Sequence, residues 1–185
     1  MPRMDPQDRA YTAEEYARLP DCPDGRDELV RGHRIREPFP RPIHAHLQFA
    51  LGGMLHRHAS EFRLGFVLGP TGFVLERNPD SVRGPDIAFV SRARAGDAIP
   101  DHWPEFGPDL AVEIRSPSER RGRLAEKIAQ YFAAGTRLVW VIEPKERTAV
   151  VYHAPDDARV LRPGDELEGE DVVPGFRCRL QDLFE

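Results

Sequence analysis

Two carboxylates in apolar surroundings are the residues whose types and spacing could carry chemistry. Asp86 lies in Gly-Pro-Asp-Ile-Ala-Phe-Val, and Glu113 lies in Asp-Leu-Ala-Val-Glu-Ile-Arg-Ser-Pro, so each acid stands at an end of an apolar, strand-like run. Burying an unpaired carboxylate is costly, so such an acid usually has a counter-charge or a metal. Two carboxylates on neighbouring strands can hold Mg²⁺, which prefers oxygen ligands and keeps several waters. A metal held in this way could activate a water and stabilise charge on a phosphate.

The same two acids also have a structural interpretation. Asp86 could cap a turn after Pro85, and Glu113 could pair with Arg115 or another arginine. The residues alone leave both interpretations open.

Apolar periodicity predicts the elements that must position these acids. Leu47, Leu51 and Leu55 form a helical stripe after Pro42, and a second helix is expected over 122–134 with Gly135 as its C-cap. Strand-like runs separated by turn residues lie at 65–68, 73–75, 87–90, 110–114, 137–142, 149–152 and 159–161. The pattern predicts an α/β fold with a central mixed β-sheet flanked by helices.

The N-terminal part carries two local signals. Thr12 and Glu15 form a capping box that predicts a short helix, and Arg31-Gly32 predicts a tight hairpin turn just after Glu28. With 185 residues, the chain is long enough for one core. We therefore expect a flexible N-terminus over 1–10 and a single domain over 11–185.

Composition narrows the classes of function. The formal net charge is -5, which argues against a general nucleic-acid coat. Cys22 and Cys178 lack the spacing of a zinc site or a disulfide framework. The sequence shows no apolar run long enough to span a membrane and no signal-peptide core, so a cytoplasmic location without membrane association is expected.

The order of several motifs resembles a known family. Asp86, followed one strand later by Glu113-Ile114-Arg115, resembles the PD-(D/E)XK nucleases. Over most of its length the chain resembles, more specifically, the Uma-type "putative restriction endonuclease" family. The resemblance rests on Tyr11–Tyr16, Asp27–Gly32, His44, Pro85-Asp86, Val112–Ser118, Lys127, Tyr131, Gly135 and Val139–Pro144.

This resemblance implies a restriction-endonuclease-like fold and the hydrolysis of DNA phosphodiester bonds. It implies that Asp86 and Glu113 hold Mg²⁺, with Mn²⁺ as an alternative, and that Glu28 is an auxiliary acid. His44 matches a family position that could line the site. A homodimer is expected, since such nucleases often pair two sites on a duplex.

Two departures from the family pattern concern the motif's lysine and the helix that follows it. Arg115 stands in its place, and arginine cannot act as a base, although it can bind a phosphate oxygen. Arg123 stands where the family commonly has an aspartate. Lys127, one of two lysines in the chain, falls where the resemblance places a substitute lysine, so we expect it to orient or activate the attacking water.

A local basic patch could contact phosphates in this acidic protein. It comprises Arg115, Arg120, Arg121, Arg123 and Lys127, beside the acidic pair. The alternative is a set of solvated charges.

Three functions stay open at this stage. The first is a metal-dependent DNA endonuclease. The second is a catalytically degenerate member that serves as a nucleic-acid-binding or protein-interaction module. The third and weakest is a hydrolase of a smaller phosphate ester.

Overall fold

The computed structural model describes residues 9–20, 22, 25–116 and 121–185. Within these ranges it has four α-helices, namely α1 (Ala13–Tyr16), α2 (Pro42–Glu61), α3 (Arg92–Ala95) and α4 (Arg121–Ala133). The first six strands are β1 (Gly25–Val30), β2 (His33–Pro38), β3 (Gly65–Leu68), β4 (Phe73–Glu76), β5 (Ser81–Arg83) and β6 (Ile87–Ser91). The others are β7 (Leu110–Ile114), β8 (Leu138–Glu143), β9 (Thr148–Ala154), β10 (Asp157–Leu161), β11 (Glu166–Glu168) and β12 (Arg177–Arg179), before a 3₁₀ helix at Leu180–Phe184.

A six-stranded mixed sheet forms the centre of the fold. Its order is β10-β9-β8-β7-β6-β3. The middle strand β7 runs parallel to β8 and antiparallel to β6, where Ile87 is paired with Val112. Asp86 immediately precedes β6, so this register brings it beside the end of β7 that carries Glu113. Glu113 thus lies on β7 and Asp86 lies one residue before the adjacent strand β6, although both acids were expected on the strands themselves.

Helices cover both faces of this sheet because successive strand residues point to opposite sides. Leu47, Leu51 and Leu55 of α2 are fully buried against one face, in a core that includes Val112 and Trp140. On the other face, three residues of α4 are buried in a second core, namely Leu124, Ile128 and Tyr131. They pack against Ala111, Val139 and Val141 of the sheet. Glu113 shares strand parity with Ala111 and is therefore on the α4 face. The predicted mixed sheet flanked by helices is confirmed.

A smaller sheet lies beside the central one, in the order β2-β1-β5-β4. Its β1–β2 hairpin turns at Arg31 and Gly32, whose φ values of 48° and 81° are both in the left-handed region, as a two-residue hairpin turn requires. The capping box of α1 is formed as expected, since the Thr12 hydroxyl accepts from the Glu15 amide. The small sheet carries Glu28 toward the end of the central sheet.

Some elements were not foreseen from the sequence. β5 has only three residues, Ser-Val-Arg, and two of them are polar, so no apolar alternation marks it. The four-residue helix α3 and the short β11–β12 pair also lack a clear periodic signal. β8 begins at Leu138 rather than Arg137 and continues to Glu143.

The expected division of the chain stays a prediction. Of the N-terminal segment 1–10, residues 1–8 lie outside the described residues. Among the helices that are described, none has the length and apolar character needed to cross a membrane.

Asp80 ties the N-terminal elements to the small sheet. Its carboxylate accepts hydrogen bonds from the Ala13 amide at 2.8 Å, the Asn78 amide at 3.1 Å and the Arg77 guanidinium at 2.8 Å. Burial acts to raise the pKa of Asp80, but these donors outweigh it and lower the pKa below its ordinary value. The carboxylate therefore stabilises the fold above its ordinary pKa, and this contribution is lost as pH falls through the lowered value.

We predict that Asp80→Ala lowers the free energy of unfolding by about 1–3 kcal/mol at neutral pH, because buried donors lose their acceptor. Urea denaturation measures the change, and the gap from the parent should narrow in acid below pH about 4. Asp97→Ala is the matched control, since Asp97 is exposed and its ion pair with Arg92 is long, at 3.7 Å. Equal effects of the two substitutions would contradict the assigned role.

Candidate active site

Glu113 is a buried acid with a lysine and a tyrosine as partners. Lys127, on α4, places Nζ 2.8 Å from Glu113 Oε1 and 2.9 Å from Oε2. Tyr131, one helical turn later, donates its hydroxyl to Oε1 at 2.7 Å. The packing of α4 on the sheet thus gives Glu113 both a counter-charge and a hydrogen-bond donor.

Glu28 reaches the same lysine from the small sheet. Its Oε1 is 2.9 Å from Lys127 Nζ and also accepts from the Gly84 amide at 2.9 Å. Its Oε2 accepts from the Arg83 guanidinium at 3.0 Å. Lys127 therefore bridges carboxylates from two different sheets.

Asp86 has a separate set of partners. Its Oδ2 accepts from the Ile114 amide at 2.7 Å, which joins it to the end of β7. Its Oδ1 is 2.7 Å from an Arg26 guanidinium nitrogen and 3.1 Å from His44 Nε2. Neither ring nitrogen of the buried His44 makes a well-aligned hydrogen bond to any described residue.

All three acids line one cavity of about 160 Å³. Its charged and polar lining includes Arg26, Glu28, His44, Arg83, Asp86, Glu113, Ser116, Arg123, Glu126 and Lys127. The carboxylates lie deep, since Asp86 is 1% exposed and Glu113 is 3% exposed. Carboxylates and cations thus lie side by side at the buried end of the cavity.

Burial and charge act differently on the two predicted metal ligands. Burial, opposed by the Lys127 ammonium and reinforced by the neighbouring carboxylates, raises the pKa of Glu113 to about 7. Burial also acts to raise the pKa of Asp86, but His44 and Arg26 outweigh it and lower the pKa to about 2. Asp86 is therefore ionised at any physiological pH.

Lys127 is held as a cation. Burial acts to lower its pKa, but the charges of Glu113 and Glu28 outweigh it and raise the pKa above its ordinary value. A protonated ammonium can donate hydrogen bonds but cannot accept a proton. In this state, Lys127 is able to orient a water and unable to deprotonate it.

The sequence also matches a protein-family model over residues 13–181, described as "Uma2: Putative restriction endonuclease". This match spans most of the chain. The chain belongs to the Uma2 family. The resemblance seen in the sequence motifs is therefore confirmed, and the chain is a member of a nuclease family.

A solved structure shows the same fold. It is titled a putative nuclease belonging to DUF820 from Anabaena variabilis, and it superposes with a TM-score of 0.83 at 21% identity over 94% of this chain and 97% of that one. The likeness confirms the restriction-endonuclease-like α/β fold. No curated protein matches the sequence significantly.

The structure brings most of the predicted Uma2-family site together. Asp86, Glu113, Glu28, Lys127 and His44 all line the cavity described above. They come from five separate segments of the chain, so a shared cavity was not assured by their order. Their chemical roles stay predictions.

The predicted basic residues are placed less uniformly. Arg123 is exposed and lines the cavity, whereas Arg115 pairs with Glu143 at 2.6 Å and lines a neighbouring pocket. Arg120 lies outside the described residues, and Arg121 begins α4 with its side chain outside the description. The phosphate-binding roles of these residues stay predictions.

Three site residues were missed in the sequence. Arg26 contacts Asp86, Arg83 contacts Glu28, and Tyr131 contacts Glu113. Arg26 is two positions before Glu28 on β1, so strand alternation could have placed both on one face. Tyr131 is four residues after Lys127, which is one turn of the same helix face.

The donor set fits a divalent metal that takes few protein ligands. Restriction-endonuclease-like nucleases generally depend on a divalent metal, and Asp86 and Glu113 offer the oxygen ligands that Mg²⁺ prefers. Within the described residues, no group of three or more histidine, cysteine or acidic side chains is arranged to hold a metal. Mg²⁺ is often bound by one or two carboxylates plus water and substrate phosphate, and this cavity is compatible with that mode.

We predict that Lys127→Met lowers the free energy of unfolding by about 3–5 kcal/mol, because it leaves Glu113 and Glu28 buried without their shared cation. Lys145→Met is the matched control, since Lys145 is exposed, and its effect should stay within about 0.5 kcal/mol. Denaturant unfolding in the presence of a chelator measures both.

Adding Glu113→Gln to Lys127→Met should recover part of that loss, because one buried charge is removed. If the double variant is as unstable as additive single effects require, the coupling between the two side chains is absent.

Proposed function

We propose that this Uma2-family protein is a metal-dependent endonuclease that hydrolyses DNA phosphodiester bonds. The observation that supports it is the cavity in which Asp86 and Glu113, from adjacent strands, lie beside a buried ammonium and partly exposed guanidinium groups. Carboxylates for a metal, a donor for water and cations for phosphate are the components that phosphodiester hydrolysis requires.

Asp86 and Glu113 would hold Mg²⁺, or Mn²⁺ in its place. The bound ion supplies an activated water and charge stabilisation on the phosphate. The Tyr131 hydroxyl donates to one carboxylate oxygen of Glu113, and the Ile114 amide donates to one of Asp86. These hydrogen bonds fix the direction of the remaining lone pairs.

Cationic side chains would position the reacting groups. Lys127 donates a hydrogen bond to the attacking water, with Glu28 as the auxiliary acid that orients the ammonium. Arg26, whose side chain is 34% exposed, can donate to a phosphate oxygen from its place in the cavity. The attacking water would lose a proton to solvent as its oxygen forms a bond to phosphorus, while the bond to the leaving nucleoside oxygen breaks and that oxygen takes a proton from solvent.

One observation favours the alternative of a catalytically degenerate binding module. Each buried carboxylate already has a cationic partner: Lys127 for Glu113 and Glu28, and Arg26 for Asp86. The network is therefore balanced without a metal. A protein that binds DNA but cuts none under any divalent metal would have this function.

We predict that the parent cuts plasmid and single-stranded DNA with Mg²⁺ or Mn²⁺, and that Asp86→Ala and Glu113→Ala abolish cutting. Lys127→Met should lower the rate by about 100-fold or more, because a preorganised donor is lost. Arg115→Lys should retain or raise activity, since it restores the Glu-x-Lys pattern. Initial rates on gels measure all of these changes.

Lys145→Met is the control for removal of a lysine. Cutting that persists in Glu113→Ala would identify a contaminating nuclease, and equal rates in Lys127→Met and the parent would remove Lys127 from the mechanism.

We also propose that Arg120, Arg121 and Arg123 meet the phosphates of DNA. Replacing all three with alanine should flatten the slope of log affinity against log salt by about 0.7–0.9 for each phosphate that the protein no longer neutralises. Fluorescence anisotropy with a labelled oligonucleotide measures the slope in a chelator. Arg57, Arg159 and Arg162 are exposed and do not line the cavity, so their triple alanine variant is the charge-matched control. Equal slopes in the two variants would make the first three ordinary solvated charges.

Homodimer formation and a cytoplasmic location complete the proposal. Sedimentation velocity at several protein concentrations tests the homodimer.

A further inference from the structure

An exposed aromatic ring stands at the cavity that holds the acids. Phe39 lies between the end of β2 and the start of α2, is 68% exposed, and lines the same cavity as Asp86 and Glu113. A single exposed phenyl ring is ordinary, and Phe49 and Phe62 are exposed as well. Phe39 differs from them because it lines the cavity of the acids, where a bound ligand would cover it.

The backbone around Phe39 is stiff. Pro38 and Pro40 flank it, and a proline ring fixes φ and restricts the residue before it. Both prolines line the cavity with Phe39, as do the apolar side chains of Val30 and Ile35. The cavity thus has an apolar wall of fixed shape next to its charged floor.

This combination fits a nucleotide better than a bare phosphate or a protein segment. Proteins that bind single strands combine cations that follow the backbone with aromatic rings on which bases stack. Here Arg26 and Arg123 supply the cations and Phe39 supplies the ring. The charged floor would be poorly matched to an apolar peptide.

The depth of the acids selects against an intact duplex. The cavity holds about 160 Å³, below the roughly 300 Å³ at which pockets for drug-sized ligands begin. Its carboxylates are nearly fully buried, so a scissile phosphate must reach down to them. In a stacked duplex each phosphate is fixed by a stiff helix, whereas single strands can splay their nucleotides outward.

We propose that Phe39 is a stacking platform for the nucleobase next to the scissile phosphate, and that single-stranded DNA is the preferred substrate class, cut faster than the duplex of a plasmid. This inference rests on the proposed nuclease function for its biological meaning. The stacking contact itself does not require cleavage, so it can be measured separately.

The test places a fluorophore at the platform. Phe39→Trp is titrated in a chelator with an oligothymidylate of about 16 nucleotides, the upper end of the usual single-strand site size. The matching duplex and an abasic oligomer of equal length are titrated in parallel. Phe62→Trp is the matched control, because Phe62 is 58% exposed and follows the far end of α2, about 30 Å along the helix.

We expect the single strand to quench the emission of Phe39→Trp, while the abasic oligomer and the duplex leave it nearly unchanged and Phe62→Trp does not respond. By anisotropy, Phe39→Ala and Phe39→Leu should each bind the single strand about tenfold more weakly than the parent. The weaker binding of Phe39→Leu separates stacking from general apolar contact. The melting temperature, measured by circular dichroism, checks that these surface variants fold.

Equal quenching by single strand and duplex, or parent-like affinity of Phe39→Ala, would overturn the platform. If Phe39→Ala binds an apolar peptide more weakly than the parent but binds DNA equally well, the ring is a protein-docking site. That result would also overturn the platform. If the strand stacks on Phe39 but the parent cuts nothing with Mg²⁺ or Mn²⁺, the nuclease proposal fails and the stacking platform stands.

Discussion

The ammonium of Lys127 lies between the carboxylates of Glu113 and Glu28, and these three buried charges join three elements that lie far apart in the sequence. Glu113 belongs to the central sheet, Glu28 to the small sheet, and Lys127 to α4. Removing three charges from water costs several kcal/mol of desolvation free energy for each charge, whereas burying apolar groups of the same size is favourable. The cost is offset only because each charge has a partner and further donors, so the position of each element is fixed within hydrogen-bond distance.

The rest of the polar network extends this constraint outward. Arg83 links Glu28 to Gln130 at 2.7 Å, and Gln130 donates to Glu76 at 2.7 Å. Thus α4, β4 and β5 are joined through side chains that are mostly buried. Networks of this kind hold one arrangement because a partly satisfied alternative leaves polar groups unpaired. A fixed arrangement is also what a catalytic site requires, since small displacements of reacting groups slow a reaction strongly.

The two predicted metal ligands differ in what holds them. Asp86 is kept ionised by nearby cations and anchored on the Ile114 amide, while burial outweighs the Lys127 charge at Glu113 and raises its pKa, so Glu113 depends on Lys127 and Tyr131. A divalent ion entering the cavity would compete with Arg26 for Asp86, and the partly exposed Arg26 has room to move toward a substrate phosphate. Arg26 would then neutralise Asp86 in the free protein and contact the substrate phosphate in the proposed reaction.

The sequence predicted the features that depend on interactions between residues close together in the chain. The capping box of Thr12, the hairpin turn at Arg31-Gly32 and the end of α4 at Gly135 depend on neighbours within a few residues, and all three are formed. Strand alternation and family motifs also sufficed to predict that Asp86 and Glu113 lie close together at neighbouring strands, while their roles stay predictions. The mixed sheet between two helices followed from the same periodic patterns.

Only the tertiary structure decided which side chains share the site. Arg26 and Asp86 are 60 positions apart, and Arg83 and Gln130 are 47 apart, so no local rule pairs them. The short strand β5 escaped the sequence for the same reason, because Arg83 is buried only where Glu28 and Gln130 can satisfy it. Arg115, two residues after Glu113 in the motif, pairs with Glu143 at the end of the parallel strand β8. The sequence by itself predicted the longer elements and singled out the two acids, whereas the partners of those acids depend on long-range packing that brings distant charges together.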